Sequence, residues 1–178
     1  MRHAIVLGGL LVLAAVAAAA EPLVFETGFV RWTVSERATT LSFAGATSGT
    51  DYRAAEGAGP CARIRQGEQW RPANAVAPHE RGLRLVFGDT GVEAVVAVTA
   101  LKHYLLLEVV EVTGADGVDE LVFVDIPLGL EGSLDEPFAA CALALNLKTN
   151  VTEIPGPSKR LRAMCYGRFG LVGAKAAL

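Results

Sequence analysis

The sequence predicts an all-β protein, an antiparallel β-sandwich, on three observations. Apolar and polar residues alternate at period two through most of the chain after Glu21. Turn-forming clusters recur at roughly the 8–12-residue spacing of sandwich proteins. Two stretches, Tyr104–Val112 and Val118–Pro127, are apolar on both faces, as strands covered from both sides must be. A chain of 178 residues holds one domain of ordinary size with a real core.

The first segment is read separately. Arg2 and His3 give a small positive start, Ala4 to Val16 an apolar run, and Ala17–Ala20 an A-x-A cleavage site before Glu21. A membrane anchor needs about 20 strongly apolar residues, and the last few here are merely alanines. Residues 1–20 are therefore expected to be a cleaved signal peptide and residues 21–178 the β-domain. The mature protein is exported, periplasmic or extracellular, with no membrane attachment after cleavage.

The elements then follow in order. Val30, Trp32 and Val34 face one way and Arg31 and Thr33 the other, which puts Trp32 in the core. Leu41 and Phe43 form a second strand, and Ala46–Asp51 breaks the pattern with turn residues. Ala62 and Ile64, flanked by Arg63 and Arg65, form another strand, closed by Gln66–Gly67–Glu68. Leu83, Leu85 and Phe87 lead through Gly88–Asp89–Thr90–Gly91 into a partner beginning at Val92, a hairpin signal. Thr113–Gly117 turns between the two long strands, the second of which sets Leu121, Phe123 and Asp125 against Val122, Val124 and Ile126.

Phe138–Leu147 fits an alanine-rich helix opened by Pro137, and fits a strand slightly better, with Cys141, Leu143, Leu145 and Leu147 on one face. Pro155–Gly156–Pro157 breaks the chain, and Leu161–Tyr166 resumes alternation. Ala174–Leu178 reads as a new apolar strand with no polar tail. An unpaired apolar edge is an aggregation hazard, so the sandwich is expected to be incomplete at its C-terminal edge and to be the N-terminal part of a longer protein.

Composition narrows the function. Hydrophobic residues at 52% and charged residues at 20% exclude a disordered chain. Without residues 1–20, which hold one arginine and no acid, 15 basic and 19 acidic side chains leave a formal charge of −4. That balance, with 7% aromatics, gives no reason to expect a nucleic-acid partner. The densest basic stretch, Lys159, Arg160 and Arg162, alternates with Leu161 and Ala163 and reads as a solvated strand face. Cys61, Cys141 and Cys165 have neither zinc spacing nor an even count. One bridge between Cys141 and Cys165 and three buried free thiols both fit.

No nucleophile elbow, P-loop, dinucleotide fingerprint or H-E-x-x-H motif is present. His79 lies in a loop and His103 at a strand start, and neither has a base-orienting partner in the sequence. Asp119–Glu120 and Asp135–Glu136 are adjacent pairs; in a strand, neighbours point to opposite faces, so neither pair alone flanks a glycosidic bond. No catalytic residue, metal ligand or cofactor is assigned. The candidate ligand-binding residues are Trp70, an exposed aromatic beside a turn; Asn146, a polar group in an apolar run; and Arg168. Asn150–Val151–Thr152 matches a glycosylation acceptor.

Gly28–Val34 (GFVRWTV), Leu41–Phe43 (LSF) and Thr47–Tyr52 (TSGTDY) resemble the opening of N-terminal β-sandwich domains in secreted bacterial glycoside hydrolases. The strands from Leu83 to Leu128 resemble those of the galactose-mutarotase-like supersandwich. The resemblance implies a carbohydrate-related role: a noncatalytic N-terminal sandwich of an exported carbohydrate-active enzyme. Its partners would be a following catalytic domain in the same polypeptide, and carbohydrate. True aldose mutarotases are longer and use a histidine acid and a glutamate base, for which this chain has no match. The alternative is a stand-alone binding or structural module of the cell envelope.

Overall fold

Alternation at period two becomes strands because it lets each segment bury one face while pairing its backbone with a neighbour. The computed structural model describes residues 21–55, 59–131, 133–151 and 159–178; the expected signal peptide, Thr152 and the Pro155–Pro157 break lie outside them. The described residues form an all-β, antiparallel, sandwich-like fold with no α-helix.

A three-stranded sheet is built from β1 (Leu23–Glu26), β2 (Val30–Val34) and β3 (Thr40–Gly45), in that order. β4 (Arg63–Gln66), β5 (Gln69–Pro72), β10 (Glu120–Pro127), β12 (Thr149–Asn150) and β13 (Arg160–Tyr166) make a five-stranded sheet in the order β12-β13-β10-β4-β5. The six-stranded sheet runs β11-β14-β9-β8-β7-β6. Its members are β6 (Ala75–His79), β7 (Gly82–Val86), β8 (Glu93–Ala100), β9 (Leu105–Thr113), β11 (Leu143–Ala144) and β14 (Lys175–Ala177).

One hydrophobic core joins all three sheets. It takes Trp32 and Phe43 from the first, Ile64, Leu121, Val124 and Leu161 from the second, and Leu85, Val96 and Leu107 from the third. Each such side chain contributes about 1.5–3 kcal/mol by leaving water. Trp32 is in the core as its alternation requires, and its indole N–H, which burial would orphan, donates to Thr40 Oγ1 at 3.2 Å.

Three expectations are corrected. Phe138–Leu147 is neither helix nor a full strand: only Leu143–Ala144 pairs, with β14, while Leu143, Leu145 and Leu147 are exposed and Ala142 is buried. Alanine offers too little area there to fix the segment, and the larger leucines stay at the surface. In β10, a bulge between Val122 and Val124 changes the alternation. Val124 and Ile126 thereby join Leu121 on the core side, and Asp125 turns to the other face with Val122. Finally, β14 is no open edge, since it pairs with Leu143–Ala144 on one side and with β9 on the other.

Candidate functional site

The functional interest lies on the face of the five-stranded sheet that points away from the core. On β13, Leu161, Ala163 and Cys165 are buried inward, which sends Arg160, Arg162, Met164 and Tyr166 outward. On β4, Ile64 is inward and Arg63 and Arg65 outward. Residues directly opposite in a ladder share a face. Arg65 is paired with Trp70 on one side and Glu120 on the other, and Glu120 with Tyr166, so these side chains form one row across four strands.

At one end of this face is a polar depression of about 320 Å³, lined by Arg65, Asp119, Glu120, Tyr166 and Arg168. Local backbone geometry builds it. Gly67 takes a φ of +59° at the first central position of the two-residue β4–β5 turn, a conformation glycine adopts without strain. Its N–H donates to Asp119 Oδ2 at 2.8 Å, while the Asp119 N–H donates to the Arg65 carbonyl at 2.8 Å. Asp119 thus sits before β10 rather than within it. The opposite-face rule for neighbouring strand residues does not reach it, and both carboxylates of the Asp119–Glu120 pair line the depression. Arg65 spans them, 3.3 Å from Glu120 and 3.9 Å from Asp119.

Arg168 rises on the opposite rim from a short 3-10 turn, Gly167–Phe169. Gly167 seats the turn by donating to the Asp119 carbonyl at 2.8 Å. The Arg168 guanidinium lies 4.6 Å from the Phe169 ring centroid and 5.6 Å from that of Tyr166. Among the described residues it makes no hydrogen bond or ion pair, so its planar donors point to solvent. The Tyr166 hydroxyl accepts from Asn150 Nδ2 at 2.9 Å.

Further along the face, three arginines from two strands surround one carboxylate. Asp125, 2% exposed, accepts from Arg160 Nε at 2.5 Å and Arg162 Nε at 3.5 Å. Arg63 Nε stands 3.7 Å from its other oxygen, in ion-pair range but making no hydrogen bond, although that nitrogen is buried. Burial is the main cause that pulls the Arg63 pKa down; Asp125 opposes it, and Arg162 and Arg160 reinforce it. The Arg63 guanidinium also lies 4.4 Å over the ring of Trp70, which is 41% exposed on edge strand β5.

Of the three residues expected to bind ligand, Trp70 and Arg168 therefore share this face. Asn146 does not line the depression: its Nδ2 donates to the Gly173 carbonyl at 2.6 Å, and its Oδ1 accepts from Lys148 N and Thr149 Oγ1. Its amide ties the β11–β12 loop to the turn before β14. Arg63, Arg65, Asp125, Arg160, Arg162 and Tyr166 were missed as a site. The signal was the repeated Arg–apolar–Arg spacing at 63–65 and 160–162, which sets both arginines of each pair on one face.

The other candidates are more ordinary. His79 Nδ1 accepts from Arg81 N at 3.3 Å, and His103 packs on Phe29 with ring centroids 5.1 Å apart. No group of three or more metal-ligating side chains forms among the described residues. All three cysteines are free, with Cys61 and Cys165 buried and Cys141 exposed. A half-open apolar hollow of about 350 Å³, lined by Phe29, His103, Tyr104, Phe138 and Leu145 among others, lies apart from the polar face. No protein-family model, curated protein or solved structure matches the chain.

Proposed function

We propose that the chain is a noncatalytic N-terminal β-sandwich domain of an exported carbohydrate-active enzyme, of the galactose-mutarotase-like supersandwich kind. In this reading it presents the outer face of its five-stranded sheet to a glycan. The observation that carries the reading is Arg168, a guanidinium backed by two aromatic rings, with no polar partner among the described residues, on the rim of a polar depression. Sugars offer neighbouring hydroxyls that both accept and donate hydrogen bonds, and apolar ring faces that pack on aromatics. Arg168 and Arg65 supply donors, Asp119 and Glu120 acceptors, and Trp70 and Tyr166 aromatic surface. The export pattern of residues 2–20 supports a periplasmic or extracellular place of work.

Calorimetric titration of the purified protein with a panel of neutral and acidic oligosaccharides tests this. At least one should bind, and Arg168→Ala should weaken it about five-fold or more without lowering the melting temperature, since Arg168 is exposed. A panel that gives no binding at all refutes the reading.

The partner role rests on a different observation. Phe29, Tyr104, Leu143 and Leu145 are all exposed around the apolar hollow, a rim suited to packing against a following domain of the same polypeptide. A stop codon directly after Leu178 would remove this part and favour the stand-alone envelope module.

A further inference from the structure

We propose that the Arg63–Trp70 pair is an oxyanion subsite, and that the glycan met by this face is acidic, carrying carboxylate or sulfate groups on its sugars. The inference rests on the glycan-binding reading and names the ligand class.

The chemistry begins with unspent donors. Asp125 is committed to Arg160 by a hydrogen bond of 2.5 Å, so Arg63, at 3.7 Å, receives charge compensation without a hydrogen bond. Its Nε is the one buried side-chain N or O atom without a partner among the described residues. Nε itself is closed to solvent, so the donors an arriving oxygen would meet are the terminal nitrogens of this side chain, which is 30% exposed and makes no hydrogen bond among the described residues. Trp70 holds the guanidinium flat, so the fork is oriented before a ligand arrives.

The surroundings favour a negative partner. Arg63 and Arg160 both face the one carboxylate of Asp125, in a chain whose formal net charge is −3. Positive charge is thus collected locally against the overall balance of the protein. The adjoining depression differs: Asp119 and Glu120 are offset by Arg65 and Arg168, leaving a neutral, hydroxyl-binding surface. Arg63 and Arg65 are two residues apart on β4, hence about 7 Å. One chain of sugars can therefore place hydroxyls in the depression and a charged group on Arg63.

Titrations with oligogalacturonate, a sulfated galactan oligosaccharide and an uncharged galactan oligosaccharide of equal length provide the test. At least one acidic ligand should bind about ten-fold tighter than the neutral one and lose that margin in high salt. The carboxylate and sulfate arms show which oxyanion is preferred. Arg63→Gln should erase the margin while retaining neutral binding, and Trp70→Ala, on an exposed edge strand, should reduce it with the fold intact. Equal affinity for neutral and acidic ligands, or a margin that survives Arg63→Gln, overturns this inference and leaves glycan binding standing. Binding of no oligosaccharide sinks both. Single-stranded DNA bound as tightly as the acidic sugar would also overturn it, by showing general polyanion attraction.

Discussion

Arg160 donates to Asp125 at 2.5 Å across the β10–β13 ladder, and the carboxylate that receives it is almost fully buried. This pair anchors the outer face of the five-stranded sheet. Asp125→Ala would take the hydrogen-bond acceptor from Arg160 and leave the Arg160 and Arg63 guanidiniums repelling each other across a gap. The loss should be about 2–4 kcal/mol, at or below that for a fully buried pair, because the arginines keep some water. A urea denaturation midpoint that does not move would contradict this role.

Gly167 sets the height of Arg168. A Cβ there would stand 2.1 Å from the Val118 carbonyl oxygen, so Gly167→Ala must displace either the turn or the segment leading into β10. We expect a cost of about 2–3 kcal/mol, together with weakened glycan binding. Unchanged affinity in this variant would show that Arg168 does not depend on the turn.

The thiols give a pH dependence with a definite sign. Burial pushes Cys61 and Cys165 from 9.0 up to about 12. Between those values the unfolded chain has lost thiol protons that the native state retains, so stability should fall as pH rises from 9.0 towards 12, with no such effect below. Comparing denaturation midpoints across that window with those of a Cys61→Ala, Cys165→Ala double variant isolates the effect; equal slopes would contradict it. At neutral pH a thiol reagent should modify Cys141 alone in the native protein and all three cysteines after unfolding.

The proposed export makes a separate prediction. If residues 1–20 are a cleaved signal peptide, the mature protein should begin at Glu21, and intact-mass measurement or N-terminal sequencing checks this directly. A mature protein retaining Met1 would contradict cleavage.

Much of the fold was legible because burial imposes period two: Trp32, Ile64 and Leu161 were each inward by alternation alone. Legibility ended where backbone geometry breaks the period. The bulge at Val122/Val124 changed the alternation that carried Asp125, and no local residue pattern announces it. The Phe138–Leu147 segment failed for the opposite reason: its alternation is clean, but alanine leaves little area to bury. In the site, Trp70 was readable as an exposed aromatic beside a turn. The convergence of Arg63, Arg160 and Arg162 on Asp125 was not, because it joins residues about 35 to 62 positions apart through strand order, which only the folded topology supplies.

The most direct test of the account is amide and indole NMR of the protein titrated with an acidic oligosaccharide. Shifts should gather at Arg63, Arg65, the Trp70 indole, Gly167 and Arg168, and Arg63→Gln should abolish those around Trp70. Shifts confined to the six-stranded sheet or the apolar hollow, or no shifts at saturating sugar, would contradict the assignment of this face.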